Sequence, residues 1–268
     1  MEFSRAQYEA VIKEILTGTR TLEAKLAEVK PAAKKATSHW WIDPVSAEAI
    51  NYTADKTVEI GTGILNWVLD VLKGATAPIW MFVDAYHWMD LRGTANAVST
   101  DLSTQSLVVD DSDWRGTARD NYLAAASAQA GAAARVGSIA GGTSGMLATC
   151  AATGLAFYIA VAAVLAKMIA AVTVTIAAYG SAVFSWAGVV LTLEEAGFSA
   201  TALWAASATL AGFLGTQAAA MITMHGDAVD PTGFPNGVWP KANSARYNDA
   251  TVRDTDGKPD ADWSLKKD

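Results

Sequence analysis

The chain has 268 residues, long enough to bury a full hydrophobic core, so one domain followed by a tail is expected. Half of it is apolar, but Ala, Gly, Ser and Thr carry the excess rather than Val and Ile, a composition of closely approaching helices and not of sheets. The net charge of −7 excludes the basic face that nucleic-acid binding needs, and a single cysteine, Cys150, excludes an internal disulfide and a cysteine-rich metal site.

Residues 2–30 predict an amphipathic helix. Tyr8, Val11, Ile15, Leu22, Leu26 and Val29 share one face, and Pro31 is the expected stop. This opening alternates charged with apolar residues and has no continuous hydrophobic run, so a Sec-type signal peptide is not expected. Residues 31–45, with Lys34, Lys35, Trp40, Trp41 and Pro44, read as a connector. A second helical stretch follows over 46–74, and Pro78 marks the start of the next.

From Ile79 to about Leu107, Met81, Ala85, Trp88, Leu91, Ala95, Val98 and Leu102 recur at steps of three and four. Trp88, Leu91, Val98 and Leu102 on that stripe are the candidate partner or core face. The cluster Asp110-Asp111-Ser112-Asp113 supplies N-cap candidates for a following helix with Tyr122, Ala125, Ala132, Val136 and Ile139 on one side. A short connection makes the two helices antiparallel.

Residues 43–135 hold 12 acidic and 6 basic residues, whereas 136–225 hold only Lys167, Glu194 and Glu195. Three uncharged stretches result, 136–166, 168–193 and 196–225, each longer than the roughly 20 residues of a bilayer span. Dilution with Ala, Gly, Ser and Thr leaves each at the margin of insertion. Gly141, Gly142, Gly145 and Gly154 interrupt the first, and Glu194-Glu195 suits the tip of an apolar hairpin. The expected organisation is a helical domain over 1–225, with the apolar helices in 141–225, and an irregular tail over 226–268 anchored by Trp239 and Trp263.

His39, His87 and His225 lack ligand spacing to one another, and no phosphate loop, dinucleotide fingerprint or nucleophile elbow occurs. Asp254, Asp256, Gly257 and Asp260 match the spacing of a calcium loop, but Val252 and Trp263 stand at its first and last ligand positions, so a solvated turn is expected. Cys150 lies in an apolar run as an inert thiol. Neither catalytic residue, cofactor, metal nor small-molecule substrate is expected.

One motif stands apart. Trp-x-Gly by itself is weak, since 10 Trp and 21 Gly make nearly one match expected by chance, and Trp186-Ala187-Gly188 supplies it. Trp114-Arg115-Gly116 differs in its setting, with acidic caps before it and Ala118 and Tyr122 after it. The pattern Trp114-x-Gly116-x-Ala118-x-x-x-Tyr122 resembles the WXG family of type VII (ESX) secretion substrates. That resemblance implies an all-α helical hairpin that pairs into a bundle with a small WXG-like helical protein or with itself. It also implies a secreted or cell-envelope location by a signal-peptide-independent route, and apolar flanks like those of the longer actinobacterial members. The family's Tyr-x-x-x-acid export signal follows the second helix or lies on the partner. Here the pairing nearest the hairpin is Tyr86 with Asp90, upstream of the turn, so either the signal resides on a partner or the chain does not use this route. The function expected is that of a non-catalytic type VII secretion substrate acting through helix-bundle pairing. The alternative is a pore-forming or membrane-active protein that inserts the apolar helices of 136–225.

Overall fold

In a computed structural model, residues 3–103, 107, 116–180 and 186–241 are described, with the backbone alone for Thr117, Ala118 and 186–200. Among these residues the chain is all-α, with no strand. The helices are α1 (Arg5–Thr37), α2 (Pro44–Leu72), α3 (Ala77–Asp101), α4 (Thr117–Gly180) and α5 (Trp186–Val229), followed by a 3-10 turn at Pro235–Gly237. They form two compact units. One takes Met1–Phe82 and Ala148–Thr216, the other Val83–Leu147 and Gln217–Asp268, so α3, α4 and α5 each contribute to both.

The first unit is built on α1, α2 and the later part of α4. Tyr8, Ile15, Thr19, Leu22, Leu26, Val29, Ala33 and Ala36 are the buried side of α1, at the alternating steps of three, four and seven that a helix needs to keep one face inward. Helix α1 continues through Pro31 to Thr37 where the sequence predicts a stop. Proline removes only the hydrogen bond to the Ala27 carbonyl, and both residues lie on the exposed side, where water satisfies that oxygen. Ala33 and Ala36, buried beyond it, hold the last turns in place.

After a six-residue loop, Asp43 caps α2: its Oδ1 accepts from the Val45 and Ser46 amides, each at 3.0 Å, with Pro44 at the first helical position. These bonds, led by the one from the Ser46 hydroxyl, hold the Asp43 carboxyl below its usual range. Leu26 lies where a side chain at Gly61 would be, so the glycine lets α2 come close to α1.

The residues of α4 from Ala151 to Val172 supply the centre of this unit. Ala151, Leu155, Val161, Leu165, Met168 and Val172 are buried against the inner faces of α1 and α2. Tyr8 meets Tyr158 edge-on at 5.5 Å, and Gly18 faces Leu165 and Ile169, so α1 and α4 run parallel. Trp67 meets Phe157 and Thr53 meets Tyr179, so α2 and α4 run antiparallel.

Two buried phenols then close the corner between α2 and α3. The Tyr158 hydroxyl donates to the Val71 carbonyl at 2.8 Å and the Tyr8 hydroxyl to the Ala75 carbonyl at 2.7 Å. The Val71 carbonyl also accepts from the Gly74 amide at 3.1 Å, and Ala75 lies in the link before α3. Burial, with the Tyr158 hydroxyl beside it, pushes the Tyr8 phenol above its ordinary value and keeps it a donor.

In the second unit, α3 and the early part of α4 lie antiparallel. Ser144 donates to the Ala85 carbonyl at 2.7 Å, Gly141 faces Arg92 and Gly137 faces Asn96. Helix α4 runs unbroken through Gly141, Gly142, Gly145 and Gly154, where the sequence predicts interruptions. Three of these give room to a neighbour, Gly141 to Arg92, Gly142 to Met224 and Gly154 to Pro78. They serve close approach, and none turns the chain.

Replacing Leu155 by Ala is expected to lower unfolding free energy by about 3 kcal/mol through the cavity left in the core. Tyr8→Phe should cost about 1–2 kcal/mol by leaving the Ala75 carbonyl unpaired. Urea unfolding measures both. Because the folded Tyr8 pKa lies above the unfolded value of 10.0, its contribution is complete below pH 10 and is lost as pH rises beyond it. The alkaline fall in stability should therefore be shallower in Tyr8→Phe.

Candidate association surfaces

The side of α3 that meets α4 includes Ala85 and Ala95, both buried and both on the stripe expected from the sequence, with Arg92 and Asn96 against glycines of α4. Trp88 and Leu102 are half-buried, while Leu91 and Val98 remain 42% and 37% exposed. Met89 on the same helix is exposed as well. The four predicted face residues are thus split, two partly covered within the chain and two presented outward seven residues apart, which places them on one side of the helix.

Of the Trp-x-Gly motif, Trp114 lies outside the described residues. Gly116 is exposed with φ +107°, a conformation that L side chains rarely adopt, and nothing stands within 4 Å of the position a Cβ would take. Its carbonyl accepts from the Asp120 amide at 3.2 Å, so Gly116 is the N-cap of α4 and its requirement for glycine is conformational. Ala118 is helical, with its side chain outside the described residues, and Tyr122 is exposed.

The hairpin tip expected at Glu194-Glu195 is helical. Both residues fall inside α5 (Trp186–Val229). A helix that starts at Trp186 keeps the glutamates within regular turns, where helix-compatible Glu costs little. Their side chains lie outside the described residues.

Among the described residues, two segments are long and apolar enough to cross a membrane, Arg119–Gly180 and Thr201–Val229, whose most apolar stretches have mean hydropathies of 2.3 and 1.3. In the most apolar stretch of the first, 39% of the residues are buried, and its core positions are those of the first unit. In the corresponding stretch of the second, none is buried. Trp204, Met221 and Ile222 stand exposed along it, and no Asp, Glu, Lys or Arg occurs between Glu195 and Asp227.

Helix α5 runs to Val229, past the residue 226 at which an irregular tail is expected, and an arginine holds its end. Arg135 donates from Nε to the Asp227 carbonyl at 2.9 Å, and from Nη2 to Asp227 Oδ1 at 3.2 Å and Asp230 Oδ2 at 2.7 Å. A cation on the last carbonyls of a helix is favoured by its dipole. The chain after it is tied back where Gln129 donates to the Pro240 carbonyl at 3.0 Å. Trp239, the expected anchor, is exposed, and Trp263 lies outside the described residues with the acidic segment around Gly257. The Arg135 clamp escapes sequence reading because its partners lie 92 and 95 residues away.

The three histidines are dispersed: His39 stacks on Trp41, His87 lies 3.7 Å from Asp84, and His225 is exposed on α5. Among the described residues no group of three His, Cys, Asp or Glu converges as metal ligands. A groove of about 490 Å³ between α1 and α4 is lined by Gly18, Leu165 and Ile169, together with Lys13 and Glu14. No protein-family model, curated protein or solved structure matches the chain.

Gly116→Ala should destabilise the protein by about 1–2 kcal/mol through the positive φ alone, measured by urea unfolding. In Arg135→Ala, hydrogen exchange should quicken at the amides of residues 224–234 while those of α2 keep their protection. Unchanged exchange at 224–234 would show that the clamp holds nothing.

Proposed function

We propose that this chain is a non-catalytic association protein of the type VII secretion class, which pairs with a small helical partner, or with itself, along α3. The observation that carries the reading is the outward side of α3, where Leu91 and Val98 stand exposed one heptad apart. Two apolar residues at that spacing form the seam that a second helix covers in a bundle. The conformational demand for glycine at Gly116, immediately before α4, agrees with a fixed turn at the motif. The resemblance through Trp114, Gly116, Ala118 and Tyr122 supplies the secretion class.

A second reading is favoured by α5. A helix that pairs with one partner has an apolar stripe and a charged back, but α5 carries no charge on any side from 196 to 226 and buries nothing in its most apolar stretch. That suits insertion into lipid, as in a membrane-active protein, with α4 kept as the core of the first unit.

Export decides the first reading. In the cells that make the protein, Trp114→Ala with Gly116→Ala, and separately Leu91→Arg with Val98→Arg, should remove it from the culture medium while other secreted proteins stay at their usual level. Both double variants appearing in the medium at wild-type abundance would refute the pairing. For the second reading, leakage of dye from vesicles should be abolished by Ile222→Arg.

A further inference from the structure

The loop between α1 and α2 carries two consecutive tryptophans that the fold leaves uncovered. Trp40 is 91% exposed and Trp41 51%. His39 stacks face to face on Trp41 at 4.4 Å, and Trp40 meets Trp41 edge-on at 5.9 Å, so three rings form one aromatic cluster at the tip of the hairpin. Val45, at the start of α2, and Tyr52, farther along it, are also exposed. Behind the rings, the last turn of α1 presents Lys34 and Lys35, both exposed. The acidic residue of the loop, Asp43, turns its carboxylate onto the α2 amides, and Lys30 is neutralised by Asp55 at 2.7 Å. The remaining acid nearby is Glu48, one turn into α2.

We propose that this tip is an interfacial anchor that seats Trp40 and Trp41 among the headgroups of an anionic bilayer, with Lys34 and Lys35 on the lipid phosphates. Indole rings prefer the polar boundary of a membrane, where the ring is desolvated and the N–H stays hydrogen-bonded. Lysines within a Debye length of an anionic surface add attraction. A partner helix is the poorer occupant. It needs a seam repeating at three or four residues, whereas Trp40 and Trp41 are adjacent in a loop and their rings lie nearly perpendicular. The anchor does not require α5 to insert.

The full chain should sediment with vesicles of phosphatidylcholine and phosphatidylglycerol. Trp40→Ala with Trp41→Ala, and separately Lys34→Glu with Lys35→Glu, should each weaken that binding roughly tenfold or more. Trp204→Ala on α5 should bind as wild type does. All these positions are exposed, so an unchanged melting temperature confirms that each variant folds. Dye release measured alongside separates the two membrane ideas: sedimentation without leakage supports the anchor and counts against α5 insertion. The anchor is overturned if wild type stays in the supernatant, or if the Trp40/Trp41 variant sediments normally. It is equally overturned if Trp204→Ala alone abolishes binding.

Discussion

Close approach between helices at small residues is the constraint on which this structure depends. Helix α4 is continuous over Thr117–Gly180, and four of its glycines stand where a neighbour needs room: Gly137 under Asn96, Gly141 under Arg92, Gly142 under Met224, Gly154 under Pro78. A glycine inside a helix costs about 1 kcal/mol relative to alanine. Dispersion attraction between side chains packed across the narrowed gap offsets that cost. The same device recurs at Gly18 and Gly61 in the first unit, where Leu165 and Leu26 fill the space. With backbones so close, polar side chains reach across to carbonyls on the next helix, as Ser144 does to Ala85 and Tyr158 to Val71.

This arrangement decides which apolar surface is left over. Among the described residues, Arg119–Gly180 holds a more apolar stretch than Thr201–Val229, yet Leu155, Leu165, Met168 and Val172 of α4 are buried in the first unit. Helix α5 is less hydrophobic but more exposed, and α3 keeps Leu91 and Val98 outside its packing against α4. Hydropathy and availability for a partner therefore run in opposite directions along this chain.

The helical class, the inward side of α1 and the helix over α3 were legible because each rests on local periodicity. Boundaries failed where one residue was weighed without its surroundings. Pro31 reads as a stop, but its lost hydrogen bond faces water; Gly141 and Gly154 read as breaks, but they face side chains. The division into two units could not be read locally, since it joins Met1–Phe82 with Ala148–Thr216. Nor could the Arg135 clamp, whose acidic partners lie at the far end of α5. At the candidate sites, the α3 stripe was found on the right helix, with Ala85 and Ala95 buried but Leu91 and Val98 at its exposed edge. Trp40 and Trp41 read as a connector because sequence shows two aromatic residues in a loop and not that both stay exposed.

We propose that the chain works through these exposed apolar faces, in the medium or at the cell envelope. Separating the producing cells into cytosol, envelope and medium, and quantifying the native chain in each, tests that most directly. The chain is predicted in the medium or the envelope fraction. A chain confined to the cytosol, soluble and unassociated, would contradict it.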